Sequence, residues 1–203
     1  MRLTFYVCGL TALLSAVPAM TQANDSVYSD LDLDACQTVH VEEGISITLK
    51  CTGPKGYPFY FKEGDLRQTV LFGHVSRTYV DQAFETFGTF NHIGTKAEWR
   101  LDADGKPIAA ILRYFLEHSD PNTGMPAEAF WGQVLVISRV AQKGDGMGCM
   151  AAFVDAKANK DANLLARQLA DTLAPSFACG QDEAVYHGTR GKTADDLMSY
   201  LPE

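Results

Sequence analysis

The stretch KAEWRLDADGKPIAAILRYFL, residues 96–116, decides the fold because it predicts a β-hairpin with a defined register. Asp104 and Gly105 form a typical two-residue hairpin turn, and apolar and polar residues alternate on both sides of it. Pairing across this turn gathers apolar residues on one face, in three pairs: Trp99 with Ala110, Leu101 with Ile108, and Ala97 with Leu112. A shift of one residue would turn this face outward, so the pattern predicts an antiparallel sheet with a buried face.

The opposite face of the hairpin is charged and supplies the first candidate for a functional site. Glu98 lies diagonally from Arg113 across the predicted pairing, and Arg100 is nearby. We interpret Glu98, Arg100 and Arg113 as candidate binding residues. The alternative is a solvated sheet face on which cross-strand ion pairs form, each of which contributes little to stability.

Short strands surround the hairpin in two groups. β-branched and aromatic runs separated by turn residues predict four strands before residue 75 and four from residue 96 onward. Between the groups, Phe84, Phe87 and Phe90 recur every three residues, which favours a short helix or turn with one buried aromatic face.

A helix follows the last strand, and Pro175 ends it. It carries an apolar stripe at helical spacing, formed by Ala162, Leu165, Ala166, Leu169 and Leu173. Runs of strands followed by a helix are typical of the α+β class. We therefore predict an α+β fold: an antiparallel sheet of meander strands, about eight in two groups, with the C-terminal helix packed on it.

The chain of 203 residues is predicted to be an exported single domain. Residues 1–23 combine Arg2, an apolar run and an A-x-A-like exit, which is typical of a secretory signal peptide. The apolar run is shorter than the roughly 20 residues of a membrane span, and a membrane anchor is the alternative. We predict a single α+β domain over residues 24–180 and a polar C-terminal tail over residues 181–203, with a marginal helix at 193–201. The mature protein would be periplasmic or secreted, without a membrane span.

Four cysteines remain once the signal peptide is removed, and an even number in an exported chain favours two disulfides. Three pairings are open to Cys36, Cys51, Cys149 and Cys179. We favour Cys36–Cys51 and Cys149–Cys179 because each pair flanks one local unit. A thiol redox site is disfavoured because the sequence has no C-x-x-C.

The charge balance argues against two classes of partner. Without residues 1–23 the chain has 16 basic and 25 acidic residues, a net charge of −9. Such a surface repels phosphate backbones and anionic lipid, so nucleic-acid and membrane-surface binding are disfavoured.

The motifs of the chain assign no catalytic or metal site. The glycines of residues 144–148, the aspartates of residues 30–34 and the GKT of residues 191–193 all depart from the nucleotide-loop and EF-hand patterns they resemble. With no G-x-S-x-G and with scattered histidines, a Ser/His/Asp site would have to assemble in space. Asp155 follows a strand and is a candidate base, although a turn or capping role is favoured. We predict no metal and no cofactor.

The connection over residues 118–131 supplies a second binding candidate. It is long for a hairpin, and it ends in Phe130 and Trp131. Long loops often carry function, so Trp131 is a candidate binding residue. The alternative is an aromatic anchor that fixes the following strand to the core.

Several segments together resemble a known family. They include SVYSDLDLDAC, EGDLR, EWRLD, AILRYFL, GQVLV and FVDAKANKDANLLARQLADTLAPSFAC. The set, which spans about residues 26–179, is similar to a family of small exported bacterial, periplasmic proteins of uncharacterised function. The resemblance implies an envelope location and supplies no catalytic residues.

These observations favour a non-enzymatic binding or inhibitor-like module that acts on an envelope protein or a small ligand. The alternatives are a hydrolase with a spatially assembled Ser/His/Asp-type site and a structural envelope protein. A histidine within hydrogen-bond reach of a serine and a carboxylate would favour the hydrolase. An exposed apolar patch would favour a partner interface.

Overall fold

The computed structural model describes residue 1 and residues 24–202, so the predicted signal peptide lies outside the described residues apart from Met1. The strands are β1 (Asp25–Asp30), β2 (Gln37–Glu42), β3 (Ser46–Thr52), β4 (Pro58–Gly64), β5 (Arg67–Phe72), β6 (Phe84–Phe87), β7 (Asn91–Leu101), β8 (Pro107–Leu116), β9 (Gly132–Arg139), β10 (Met150–Asp155), β11 (Val185–Tyr186) and β12 (Leu197–Tyr200). The α-helices are α1 (Arg77–Gln82) and α2 (Ala162–Thr172). Neither helix is long and apolar enough to cross a membrane.

The strands form several sheets rather than one meander of eight, which corrects the prediction. A central sheet has the order β1-β7-β8-β9-β10-β11, an outer sheet has the order β2-β3-β4-β5, and β12 pairs with β6. The chain remains mostly β-sheet with a C-terminal helix packed on it. The division has a physical reason, because the apolar face of the central hairpin needs a covering layer that a single flat sheet does not supply.

The central hairpin has the predicted register from Ala97 to Arg100. Trp99 pairs with Ala110 and Ala97 with Leu112, as expected. Leu101, however, pairs with Pro107 and not with Ile108, because the register shifts after Arg100. Pro107 opens its strand, a position that suits a residue without an N–H group. A second shift, between Ile93 and Ala97, changes the pairing at the end of the hairpin away from the turn.

Alternate residues of the central sheet enter two different cores. One face, with Trp99, Leu112 and Tyr114, packs against Phe59 and Phe72 of the outer sheet. The Trp99 and Phe72 rings meet edge to face, with centroids 5.0 Å apart. The opposite face packs against α2, whose buried residues are Ala162, Ala166, Leu169 and Ala170. The molecule therefore has three layers: the outer sheet, the central sheet and the helix.

The region around the three phenylalanines differs from the prediction. Its helix, α1, precedes them, and Ser76 caps this helix by accepting a hydrogen bond from the Tyr79 N–H at 3.3 Å. Phe84 and Phe87 instead lie on strand β6, with Phe87 fully buried and Phe90 exposed. The aromatic core that the spacing predicted is therefore formed by Phe87 and not by all three rings.

Both predicted disulfides are present. Cys36 is bonded to Cys51 with Cα atoms 4.6 Å apart, and Cys149 to Cys179 with Cα atoms 5.8 Å apart. The second bond joins the start of β10 to the segment that follows α2. Two disulfides in one small domain are typical of proteins from oxidising, non-cytoplasmic compartments.

The segment after Gly180 takes part in the fold. β11 runs parallel to β10, and β12 pairs antiparallel with β6, so the predicted helix at 193–201 is wrong. The Tyr186 ring packs on Phe153 with centroids 5.3 Å apart, and its hydroxyl donates to the Asp195 carbonyl at 3.0 Å. Backbone pairing and one aromatic contact thus order a segment whose composition is polar.

The docking of α2 gives the first test. Leu169 is 8% exposed between the helix and the central sheet, whereas Leu164 on the same helix is 57% exposed. We expect Leu169→Ala to lower the free energy of unfolding by about 2–5 kcal/mol through lost burial and a cavity. Leu164→Ala is the matched control and should leave it nearly unchanged. Urea denaturation of both variants measures the difference, and equal stabilities would contradict this packing.

Candidate functional site

Glu98 and Arg100 of the predicted charged surface lie beneath α2. Arg100 donates to both carboxylate oxygens of Asp171, at 2.8 and 2.7 Å. Arg167 donates to the Glu98 carboxylate at 2.7 and 3.2 Å, and Ser26 also donates to it. Burial alone would raise the pKa of Glu98, but the hydrogen bonds from Arg167 and Ser26 and the charge of Arg167 together lower it. These two residues therefore tie the helix to the hairpin.

Arg113 and Trp131 lie at the other end of the same sheet face. Arg113 donates to the Gln133 side chain at 2.9 Å, whereas the ion pairs of Glu98 are with Arg100 and Arg167. The Trp131 ring meets the His92 ring edge to face at 5.1 Å, and Lys157 donates to the Trp131 carbonyl at 2.9 Å. The structure thus separates the four sequence candidates into two pairs, and the contacts of Trp131 anchor the loop to the sheet.

The contacts of the other polar candidates are structural. Asp155 is 1% exposed, and it accepts the N–H groups of Lys157, Ala158 and Gly191 at 2.9–3.0 Å. It therefore holds a turn and the C-terminal segment together. Among the described residues, no histidine is hydrogen-bonded to a serine. The described residues therefore do not show the histidine–serine hydrogen bond that would favour a Ser/His/Asp hydrolase.

A groove at the tips of two hairpins is the best candidate for a binding surface. It lies between the β2–β3 and β4–β5 turns of the outer sheet and has a volume of about 560 Å³. Val41, Ile45 and Leu66 line it, and their exposed fractions are 60, 62 and 65%. Three large aliphatic side chains open to water at one place mark an interaction surface more strongly than scattered ones do. We call this surface the tip groove.

The rim of the tip groove is acidic. Glu42, Glu63 and Asp65 line it together with the three aliphatic residues, and no basic residue of the described chain does. Arg67 lies in the same turn and forms an ion pair with the Asp65 carboxylate, and it also donates to the Gly88 carbonyl at 3.0 and 2.7 Å. Glu42 and Glu63 therefore supply the rim carboxylates that have no basic partner among the described residues. An apolar floor with an acidic rim is complementary to an apolar side chain that has cationic neighbours.

The turn that presents Leu66 is held in an unusual backbone conformation. Asp65 and Leu66 have φ values of +50° and +57°, the left-handed region that glycine or asparagine usually fills in such hairpin turns. The Asn91 N–H donates to the Leu66 carbonyl at 3.2 Å, so a neighbouring loop helps to hold the turn. Strain of this kind is often retained at binding sites, where it fixes a side chain in position.

Sequence reasoning missed the tip groove because its residues alternate like those of any exposed strand end. A signal was nevertheless present in the second hairpin. The turn EGDLR places Asp-Leu where a two-residue hairpin turn normally requires glycine or asparagine. A bulky aliphatic residue at such a position has a conformational cost and needs an explanation.

Glu85 is a second unusual feature, and no local sequence pattern indicates it. It is 3% exposed, yet no lysine, arginine or histidine of the described chain forms a recorded ion pair with it. Its carboxyl accepts the Met150 N–H at 2.7 Å and the Ser199 hydroxyl at 3.2 Å. Burial raises the pKa of Glu85 to about 7, although both hydrogen bonds oppose the shift. Glu85 is therefore largely protonated below neutral pH.

No protein-family model, curated protein or solved structure matches this chain significantly. The chemistry of these surfaces is therefore the basis on which a function is assigned.

The backbone of the β4–β5 turn gives a second test. Leu66→Gly should raise the free energy of unfolding by about 1 kcal/mol, because glycine adopts positive φ without the steric cost of a Cβ. Leu66→Ala is the control, since alanine keeps the Cβ and should give no gain. Chemical denaturation of the two variants compares them, and a less stable glycine variant would mean that the turn is not strained.

The burial of Glu85 predicts how stability depends on pH. In the unfolded chain Glu85 ionises near its ordinary pKa of 4.5, while in the folded protein it stays protonated to about 7. The contribution of Glu85 to stability is therefore fully present below the lower value, falls as pH rises between the two, and then levels off. The loss is about 3 kcal/mol, at roughly 1.4 kcal/mol per pH unit.

Glu85→Gln is the matched variant, because glutamine keeps the shape of the side chain and does not titrate. Denaturation at a series of pH values should show that this fall is missing from the variant. An unchanged pH profile would contradict the assignment of the fall to Glu85.

Proposed function

We propose that this protein is an exported, periplasmic binding module that captures a segment of another envelope protein in the tip groove. The exposure of Val41, Ile45 and Leu66 at one surface carries this proposal. The segment recognised has an apolar side chain that enters the groove and lysine or arginine residues that face the rim. The resemblance to small exported bacterial proteins supports the location.

The charge of the protein favours a different protein over a second copy of this chain. Two copies facing each other through their tip grooves would bring Glu42 and Glu63 of both chains together. Like charges in such an interface are destabilising. A basic segment instead gains electrostatic attraction at the rim, and its association is faster at low salt.

The scaffold supports this role because the β2–β3 hairpin, whose turn forms one side of the groove, is anchored to the rest of the fold. The Cys36–Cys51 bond joins the two strands at the end of the hairpin opposite the groove. Ile47 of the same hairpin packs against the main core. A surface that is ordered before binding loses less entropy when its partner docks.

A display library of random peptides tests the proposal even though the partner is unidentified. The mature protein should enrich peptides in which an aliphatic or aromatic residue is flanked by lysine or arginine. Ile45→Ser should weaken binding of an enriched peptide by about tenfold, the effect of losing one apolar contact. Both Ile45 and Leu164 are exposed, so Leu164→Ser on α2 is a matched control and should bind like the wild type.

Two outcomes would contradict the proposal. One is enrichment of peptides without basic residues, or of no common sequence at all. The other is an Ile45→Ser variant that binds the enriched peptide as tightly as the Leu164→Ser control.

A further inference from the structure

A second cavity is lined by Glu85 and by residues that are distant in sequence from those of the tip groove. It is formed where β6 and β12 meet the segment that follows the second disulfide, and its volume is about 320 Å³. A larger cavity of about 550 Å³ shares Glu183, Ala184, Leu197 and Ser199 with it. Together they are large enough for a small organic molecule.

The walls of the smaller cavity combine apolar surface with carboxyl groups. Met150, Phe177 and Leu197 supply apolar surface, while Glu85, Asp182 and Glu183 supply the carboxyls. No lysine, arginine or histidine from the described part of the chain lines it, and Arg190, which lines the larger cavity, donates to the Asp196 carboxylate at 2.6 Å. The cavity thus has an excess of negative groups and the apolar surface that a hydrocarbon chain requires.

Glu85 has unused capacity to bind a cation. One of its oxygens accepts only the Met150 N–H and the other only the Ser199 hydroxyl, while each carboxylate oxygen can accept two hydrogen bonds. A carboxylate buried without a positive partner is costly, and a cation at this place would remove that cost.

A single metal ion does not match this arrangement. Within residues 24–202, no three His, Cys, Asp or Glu side chains converge as metal ligands. The apolar surface of Met150, Phe177 and Leu197 beside Glu85 suits a cation with a hydrocarbon portion better than it suits a point charge.

We propose that this cavity binds a small alkylammonium ion whose charged head meets the Glu85 carboxylate and whose hydrocarbon chain lies against the apolar wall. The site is independent of the tip groove, so either can fail without the other. Binding of the ammonium ion changes the protonation of Glu85. Below neutral pH the protonated carboxyl must release its proton to the solvent as the ammonium ion binds, since the raised pKa of Glu85 keeps it neutral there.

Isothermal titration calorimetry with n-butylammonium chloride tests the site. This cation stays charged throughout the range, as lysine does. Between about pH 5.5 and about pH 7, its affinity for the mature protein should rise roughly tenfold per pH unit and then level off. Titrations in two buffers of different ionisation enthalpy should show the release of nearly one proton at the lower pH.

Three variants separate the site from the rest of the molecule. Glu85→Gln should abolish both the binding and the proton release. Gln181→Lys leaves Glu85 in place but adds a cation at an exposed position of the cavity wall, and it should weaken binding at least tenfold. Glu128→Gln removes an exposed carboxylate that lines neither these cavities nor the tip groove, so it is the control and should bind like the wild type.

The proposal is overturned if n-butylammonium gives no binding at millimolar concentration, or if its affinity is the same across the pH range. It is also overturned if Gln181→Lys binds as the wild type does. This last variant keeps the test valid if Glu85→Gln does not fold, since Gln181 is exposed.

Discussion

The structure depends on one constraint: the central hairpin must be covered on both faces. Its odd-numbered β7 residues Ala97 and Trp99 enter the core shared with the outer sheet, while Glu98 and Arg100 face α2. Charges on that second face are stabilised because α2 brings partners of opposite sign to them, and Glu98 and Arg100 also pair with each other at 3.7 Å. A bidentate arginine–carboxylate pair fixes angle as well as distance, so the helix is oriented by Asp171 and Arg167 as much as by its apolar stripe. Because both faces of the central sheet are buried, the outer sheet covers one face and α2 covers the other.

Local features of the fold were predictable from the sequence, and non-local ones were not. The Asp104–Gly105 turn and the alternation around Trp99 determine a register over a few residues, and the register is present. The stripe that contains Leu169 predicts its buried face for the same reason. Which layer covers the hairpin depends on residues far apart in the chain. A single meander and several sheets produce the same local alternation of apolar and polar residues, so this pattern does not distinguish them. The strand at Leu197–Tyr200 likewise forms because β6 offers it an edge, which its own polar neighbours do not reveal.

The candidate sites show the same limit. The charges of Glu98 and Arg100 were visible in the sequence, but the helix that covers them was not, and a solvated face was a reasonable interpretation. At the tip groove, Ile45 and Leu66 look like ordinary strand-end residues until the two turns are seen side by side. In the sequence, only the lack of glycine or asparagine at Asp65 and Leu66, where the turn requires positive φ, distinguishes this hairpin. Glu85 carries no local sign, because its burial is produced by β10 and β12, which lie 65 and 114 residues away along the chain at Met150 and Ser199.

The Cys149–Cys179 bond has a consequence beyond holding α2 in place. Cys149 directly precedes Met150, whose N–H binds Glu85, and Cys179 directly precedes Gly180, which lines the same cavity. One covalent link therefore ties two parts of the chamber wall to each other beside the buried acid. A reductant that opens this link would leave Met150 paired with β9 but would remove the tie to Gly180, so the shape of the chamber would depend on the redox state of its surroundings.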